Sequence, residues 1–463
     1  MRLERQAVKA LLSLLAVAFA AFSVYGEIEF DFGASLRIRE EMMDNVPGLP
    51  GGGCLSRAPR GDFTNHLRFR PTLWGEMKGM TDGGASWRFY TRFTDEFRWC
   101  PEPHKHNAAF PGEVTLENLF LETKGLSDGL IDFKIGRQDL WGFYDHKLDH
   151  VFQDGTPGDG SRTTYSDMVD LTMHVTEESK IDLIALYNFD NSDVRWGRDS
   201  SRFALTSVNP AGDPEMDDWG FGAVWDSNFG EAIPYRAFWF EKNTSSFHVN
   251  GVKHPHTRRE TLGFALEPRL DEEWTIPLEV MWQVGRNGEG DFLSAWSGYA
   301  GVEWKSSRSG WRPFASATLR YMSGDENAAE EDGGHHAWDP MWCRSVCECE
   351  LFLYGTHYGV AWWSNMYYEK NSFGIDFGPR HRLETWIGPI FAAEQDNMGG
   401  GGGMFKGFLS VIRYDFPIKL ADRTKNERFE IFGHVYAELF NPGDYYESDK
   451  PAWFFRWQVE FRF

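Results

Sequence analysis

The stretch WFFRWQVEFRF, residues 453–463, decides the fold class because apolar and polar side chains alternate along it. A strand has this two-residue period, so one of its faces is apolar and the other is mostly polar. The apolar face consists of Trp453, Phe455, Trp457, Val459, Phe461 and Phe463. A strand between lipid and a water-filled lumen needs two such faces. The last strand of a soluble sandwich is the alternative that this segment leaves open.

The same alternation recurs along the chain, between segments rich in Gly, Pro, Asn and Asp. Ile131-Asp132-Phe133-Lys134-Ile135 is a short example, and no helical stripe of comparable length is present. Strands are expected to start near residues 28, 63, 85, 114, 130, 165, 180, 217, 232, 260, 273, 293, 310, 360, 381, 405, 428 and 452. Short turns alternate with long loops, of which 323–359 is the longest. The sequence therefore predicts an all-β fold, a transmembrane antiparallel up-and-down β-barrel of about 18 strands.

The beginning of the chain is typical of a secretory signal peptide. Arg2, Arg5 and Lys9 form a basic segment, and an apolar stretch from residue 10 to residue 24 follows it. We expect cleavage after Gly26, which gives a signal peptide at 1–26 and one barrel domain at 27–463. A transmembrane anchor is the alternative, but the apolar stretch is short for a span of about 20 residues.

Composition and charge narrow the class of protein. Aromatic residues make up 16% of the chain, with 20 Trp and 38 Phe, which suits aromatic girdles at the two membrane interfaces. The formal net charge is −22, so a nucleic-acid partner is not expected. The mean hydropathy of −0.48 fits a barrel, because half of each strand faces water and the loops are polar.

The chain carries no recognisable catalytic or metal-binding motif, so neither an enzyme nor a cofactor is predicted. The cysteines lack the paired spacing of a zinc site and suggest disulfides in an oxidising compartment, although their pairing stays open: Cys54, Cys100, Cys343, Cys347 and Cys349. A metal site formed by His335, His336 and nearby cysteines is a less favoured alternative. The acidic loops 154–159 and 190–193 could hold Ca²⁺, but they lack the spacing of a calcium-binding loop.

Several N-terminal segments resemble the alginate export family of outer-membrane β-barrels. The most specific are KIGRQDL at 134–140 and DGTPGDGSR at 154–162, and weaker matches lie at 65–71, 90–98 and 116–121. The resemblance implies an 18-stranded channel that exports a polyanionic polysaccharide through a constriction lined by arginines. The arginines that match in type and position are Arg37 or Arg39, Arg68, Arg70, Arg137 and Arg162.

Alternation adds four more arginines to the face that is expected to line the lumen: Arg88, Arg92, Arg320 and Arg456. A planar guanidinium binds a carboxylate through two hydrogen bonds and keeps its charge, so a row of arginines suits an acidic polymer. The alternative is that these arginines only stiffen the wall by pairing with inward carboxylates. Glu76, Glu96, Asp132 and Glu460 are available for such pairs.

The sequence thus predicts a channel of the bacterial outer membrane that passes an anionic, alginate-like polysaccharide or oligosaccharide, with export as the main hypothesis. Uptake of small anionic solutes or oligosaccharides is the alternative, and a plugged structural barrel or an outer-membrane enzyme is less favoured. An extracellular loop folded into the pore would favour uptake. The expected partners are outer-membrane lipid, the polymer, a periplasmic export partner and the barrel-assembly machinery. That machinery would recognise an assembly signal formed by Trp457, Val459, Phe461 and Phe463.

Overall fold

The protein is described here by a computed structural model, and all structural statements concern the residues whose placement it defines. These are residues 24–45, 63–102, 106–107, 113–139, 151, 165–188, 218–230, 233–249, 252–288, 291–307, 310–326, 334–339, 341–342, 350–351, 364–396, 400–422 and 427–463. Within them, no helix is long and apolar enough to cross a bilayer.

Eighteen long strands dominate the described chain. The first nine are β1 Val24–Asp44, β2 Thr64–Thr81, β3 Ser86–Glu102, β4 Glu113–Gly125, β5 Ile131–Asp139, β6 Tyr165–Thr176, β7 Ser179–Asn188, β8 Asp218–Phe229 and β9 Ile233–Thr244. The other nine are β10 Thr257–Leu266, β11 Leu278–Asn287, β12 Asp291–Lys305, β13 Trp311–Met322, β14 Met366–Phe377, β15 Arg382–Phe391, β16 Phe405–Lys419, β17 Glu430–Pro442 and β18 Ala452–Arg462. Five shorter strands and one helical turn complete the assignment: His106–Asn107, Phe247–Val249, Val252–His254, Trp274–Thr275, Gly334–His335 and Leu126–Gly129.

Each long strand pairs antiparallel with the next one, and the last strand pairs with the first. In this closing pair Leu36 lies opposite Phe461 and Asp44 lies opposite Trp453. The backbone of Phe463 extends the seam, since its N–H donates to the carbonyl of Ala34 at 2.8 Å. The sheet therefore closes into an 18-stranded barrel, and the fold predicted from the sequence is confirmed. A barrel of this size encloses a wide lumen.

Most strands begin within four residues of their predicted starts, and two begin later. β11 starts at Leu278 and not near 273, because Pro277 has no N–H to donate to a sheet ladder. Trp274 and Thr275 pair instead with Trp304 and Glu303 of β12. β14 starts at Met366 and not near 360, a position that lies outside the described residues.

The first strand overlaps the predicted signal peptide. Val24 and Tyr25 pair with Thr81 and Met80, and the register is irregular between Tyr25 and Glu29. Residues 1–23 lie outside the described part of the chain. Cleavage after Gly26 therefore stays a prediction.

The alternation within strands separates an apolar outer face from a polar inner face. On β18 the side chains of Ala452, Phe454, Arg456 and Gln458 are buried, while the alternate side chains are partly exposed. Large exposed apolar side chains recur on the outer face of strands around the barrel, among them Phe32, Leu73, Phe221, Leu262, Trp296, Phe373 and Ile412. Several charged side chains with almost no accessible surface, among them Arg39, Glu41 and Arg456, lie on the other face, where they line the lumen.

The two ends of the barrel differ in the length of their connections. At one end the turns are short, such as the one between Thr81 and Ser86 and the one between Thr176 and Ser179. The chain between β13 and β14, residues 323–365, lies at the opposite end. The connection between β13 and β14 therefore begins and ends at the end of the barrel opposite to these short turns.

Candidate functional site

A cluster of arginines covers one side of the lumen, where β18, β1, β2 and β3 meet. We call it the arginine cluster: Arg37, Arg39, Arg68, Arg70, Arg92 and Arg456. The register brings its members together, because Arg37 lies opposite Arg70 and Arg39 lies opposite Arg68. Five of the six are buried, and Arg92 is partly exposed. Adjacent strands lie about 5 Å apart, so the charges of the cluster act on the same region of the lumen.

Buried carboxylates form ion pairs with these guanidinium groups, and one carboxylate can contact several of them. Glu41 contacts Arg39 at 3.2 Å, Arg68 at 2.7 Å and Arg456 at 3.8 Å. Arg68 also reaches Glu96 at 2.8 Å. The fully buried Glu41 therefore links three strands of the wall through one side chain.

A second carboxylate, Glu117, binds two arginines at the other end of the cluster. It accepts a hydrogen bond from Arg70 and another from the Nε of Arg92 at 2.7 Å. The register of β3 and β4 shifts between Arg92 and Phe93, and the irregularity includes Glu117 on β4. Such an irregularity can bring an extra side chain to the same face of the sheet. The wall thus presents alternating charges of both signs and not a bare row of cations.

The loop between β13 and β14 folds inward and packs in the lumen. Trp338, Met341 and Trp342 on this loop are each at most 3% exposed. The N–H of Trp342 donates to the carbonyl of Val151, a residue of the connection between β5 and β6 that is also buried. The Trp342 ring meets the ring of Phe240 edge to face. Apolar burial therefore holds this segment against the inner wall.

Polar contacts fix the same segment to β9, β10 and β11. Asp339 exchanges two hydrogen bonds with Gln283, at 2.9 and 3.0 Å, and pairs with Arg259 at 3.1 Å. Lys242 donates to the carbonyl of Met341. These anchors place a carboxylate of the loop directly on a lumen arginine.

The loop reaches the opposite part of the wall at Glu350 and Leu351. Glu350 forms an ion pair with Arg456, a member of the arginine cluster. The carboxylate of Glu438 on β17 accepts the backbone N–H groups of Glu350 and Leu351, the latter at 2.8 Å. Described residues of one loop therefore contact two separate parts of the inner wall, β9–β11 and β17–β18.

The base of the loop is held by Ser323 at the end of β13. Its carbonyl accepts the N–H groups of Trp338 and Asn365, at 3.0 and 3.1 Å. Asn365 also donates to Asp396 at 2.7 Å, and Asp396 accepts the hydroxyl of Tyr445 at 2.8 Å. Burial and the neighbouring Asp396 carboxylate raise the pKa of the Tyr445 hydroxyl. Both ends of the loop are thus tied to the rim of the barrel.

The other arginines predicted from the sequence are placed as follows. Arg88 faces the lumen and contacts Glu76 at 2.8 Å, and Arg320 lies over the ring of Tyr299 at 4.6 Å. Arg162 lies outside the described residues, as do the acidic loops considered for Ca²⁺. The side chains of the five cysteines also lie outside them, so the disulfide pattern stays open. Within the described residues, no group of His, Cys, Asp and Glu is arranged to hold a metal ion.

Arg137 requires a correction, because the register places it outside the lumen. It lies opposite Leu119 and Asp167, one position out of phase with Lys134, whose ammonium group lies 4.2 Å from the centre of the Phe120 ring on the inner face. Arg137 pairs with Asp167 at 2.9 Å on the outer side of the strands. The GRQ motif suggested a pore residue, whereas the alternation of the strand directs its arginine outward.

Sequence reasoning missed several charged residues of the lumen. They are Arg236, Arg259, Arg382 and Arg413, together with the loop residues Asp339 and Glu350. The four arginines lie on strands where they alternate with outward apolar residues, so this pattern would have identified them. Local sequence carries no signal for the loop residues, because their partners lie far away in the chain.

The comparison with known proteins shows that the structure is similar in fold to solved β-barrels. No protein-family model matches the sequence, and no curated protein sequence matches it. The structure is similar to OccAB2 of Acinetobacter baumannii, with 11% identity, 94% of this chain and 98% of that chain covered, and a TM-score of 0.54. It is similar to OccK3 (OpdO) of Pseudomonas aeruginosa, with 11% identity, 94% and 96% covered, and a TM-score of 0.53. For the outer membrane protein OprD of P. aeruginosa the identity is 9%, each chain is covered to 96%, and the TM-score is 0.52.

These likenesses show that the chain has the fold of an 18-stranded β-barrel. The resemblance to the alginate export family is wrong, because the barrels that share its architecture over nearly the whole length are Occ and OprD proteins. The short motifs that suggested the resemblance all lie within residues 65–162, about a fifth of the chain, and the register of one of them directs its arginine away from the lumen.

Proposed function

We propose that the protein is an uptake channel for small anionic solutes, including short acidic oligosaccharides. The observation that carries this proposal is the inward-folded loop, whose carboxylates pair with lumen arginines on two parts of the wall. A polymer in transit needs a clear passage, whereas a small solute can pass a narrowed one. The similarity in fold to Occ and OprD outer-membrane proteins supports a porin.

The arginine cluster supports the choice of anions. Its guanidinium groups keep their charge over the physiological pH range and offer paired donors that match a carboxylate. Low-dielectric walls around a narrow aqueous passage weaken the screening of these charges. The partner carboxylates of the wall lower the field without removing the donors, so binding would be weak enough to allow release.

A plugged structural barrel is the rival that the same loop suggests. Measurements on the purified full-length protein separate the two functions. In liposomes, we expect galacturonate to enter faster than galactose and galactose faster than glucosamine, while a long galacturonate polymer stays outside. Absence of conductance in planar bilayers would support a plugged barrel, and faster entry of glucosamine than galacturonate would overturn the anionic substrate class.

A further inference from the structure

A row of outward side chains, at the end of the barrel opposite to the short turns, changes from aromatic to polar and cationic on three adjacent strands. The row runs from β7 to β12, and each member lies directly opposite the next: Tyr187, Trp219, Asn243, Arg258, Arg286 and Phe292. Aromatic residues are usual on the lipid side of a barrel at the membrane interface. Asn243 and the two arginines interrupt this girdle on β9, β10 and β11.

The two arginines present like charges side by side on the outer surface. Arg258 and Arg286 have the parity of the exposed Leu262 and Trp282 on the same strands, so both project away from the lumen. The Cβ atoms of directly opposite residues lie about 5 Å apart, and like charges at such positions destabilise the strand pair. Both arginines are exposed, so an anion from outside the protein can reach them.

The carboxylates nearby are bound to one of the two arginines. Glu241 and Glu260 accept hydrogen bonds from the same nitrogen, Nη2 of Arg258, at 2.8 and 2.7 Å. Glu241 also accepts the amide of Asn243 at 2.9 Å. Among the side chains that the structure places, no carboxylate contacts the guanidinium of Arg286. The two carboxylates lie two positions further from this end of the barrel than Asn243 and Arg258, so the cations are the outermost charges.

We propose that Arg258 and Arg286 bind a phosphate group on the headgroup of an outer-leaflet glycolipid. Outer-membrane barrels direct their long connections to the cell surface, so this row lies at the depth of the outer-leaflet headgroups, where an outward arginine costs little. A guanidinium binds phosphate through two parallel hydrogen bonds, and two guanidinium groups on adjacent strands can hold one phosphate between them.

The aromatic residues at the two ends of the row fit the same ligand. Trp219 and Phe292 lie on either side of the polar positions, and Phe292 is 52% exposed. Aromatic rings at this depth pack where the headgroup meets the acyl chains. The proposal rests on insertion of the barrel in an outer membrane, and it does not depend on which solute the channel passes.

The test is the binding of lipid A, a diphosphorylated disaccharide lipid, to the full-length protein in mild detergent, measured by native mass spectrometry. The decisive variant is Arg286→Gln, which removes one guanidinium and leaves the carboxylates on Arg258 paired. The matched control is Arg137→Gln on β5, an outward arginine that both oxygens of Asp167 hold at 2.9 Å. Dephosphorylated lipid A and inorganic phosphate separate the contributions of the phosphate and of the lipid.

We expect lipid A to bind the wild type and Arg137→Gln equally, and to bind Arg286→Gln at least about tenfold more weakly, because charge-assisted hydrogen bonds are lost. The wild type should bind dephosphorylated lipid A more weakly by a similar factor, and inorganic phosphate more weakly still. An unchanged heat-dependent shift in gel mobility shows that Arg286→Gln is folded.

Equal binding of lipid A to the wild type and to Arg286→Gln would overturn the proposal. Equal binding of the two lipids would do the same, and so would inorganic phosphate that binds as tightly as lipid A. The entry of solutes into liposomes is a separate measurement, so failure of this proposal leaves the proposed uptake function standing.

Discussion

The effect of removing the charge of a lumen residue depends on how many charged partners that residue contacts. Glu41 is fully buried and contacts three arginines, whereas Glu76 is half-buried and pairs mainly with the more exposed Arg88. Removing one member of a buried charge network leaves its partners uncompensated. Replacing a glutamate is therefore expected to have different effects on stability at these two positions of the lumen.

Glu41→Gln is expected to lower the free energy of unfolding by about 3 kcal/mol, because the arginines around it lose a shared counter-charge. The same change should strengthen the preference for anions. Glu76→Gln is the control and should cost less than about 1 kcal/mol, because exposed pairs contribute little. Guanidinium unfolding in lipid vesicles and reversal potentials measure the two effects, and equal stability losses for both variants would contradict the network.

The lipid side of a strand tolerates charge less than the lumen side. Val459 faces outward on β18 between Ile38 and Gly433 of the adjacent strands. Val459→Arg should cost on the order of 2–4 kcal/mol if the residue lies near the bilayer midplane. Glu460→Gln, one residue further on the lumen side, should cost far less. Labelling of single cysteines at 456–461 by a water-soluble thiol reagent should alternate, and uniform labelling would show that the register is wrong.

The inward loop behaves as one element because ion pairs and hydrogen bonds attach it at both ends of its path. Its contact with β17 and β18 rests on Glu350, Arg456 and Glu438. Glu350→Gln together with Glu438→Gln should release this contact and widen the passage, since the ion pair with Arg456 and the charged acceptor on β17 are both lost.

We expect this double change to raise single-channel conductance and its fluctuations. Glu384→Gln, a lumen-side carboxylate that contacts Arg382 and not the loop, is the matched control and should leave conductance unchanged. Single-channel recording checks both variants. Conductance that stays at the wild-type value in the double variant would show that the loop does not limit the pore.

The last strand closes the barrel as well as carrying the predicted assembly signal. The ring of Phe463 lies 4.9 Å from the ring of Phe429, and its backbone bonds to Ala34 on β1. Deleting Phe463, or replacing it with Asp, should reduce the amount of heat-modifiable barrel in the outer membrane, whereas Phe463→Trp should preserve it. Normal abundance of the deleted form would argue against the assembly signal.

The strands could be predicted from the sequence because their information is local. Alternation gave all 18 strands and the phase of β18, including the inward side chain of Arg456 and the outward one of Trp457. The same rule applied to Phe133, Ile135 and Arg137 directs Arg137 outward, and the family motif misled the assignment. The inward loop was not predictable, because its contacts join residues such as Lys242 and Met341, or Glu350 and Arg456, that are about a hundred positions apart.

At the scale of the whole molecule, net charge and pore charge are separate quantities. The chain carries a formal charge of −22, yet the arginine cluster concentrates cations on one side of the lumen. The field that a solute meets inside the channel depends on this local placement more than on the total. Screening by salt should weaken the effect, because the Debye length falls to about 3 Å at 1 M.

The most direct test of the account is the reversal potential of the open channel in planar bilayers under a KCl gradient. The wild type should prefer chloride, and the preference should fall as the salt concentration rises. Arg68→Gln together with Arg92→Gln should weaken it, while Arg137→Gln together with Arg258→Gln should not, since the strand register directs these two side chains away from the lumen. A wild-type channel that prefers potassium, or a selectivity that stays unchanged when the lumen arginines are lost, would contradict the uptake of anions.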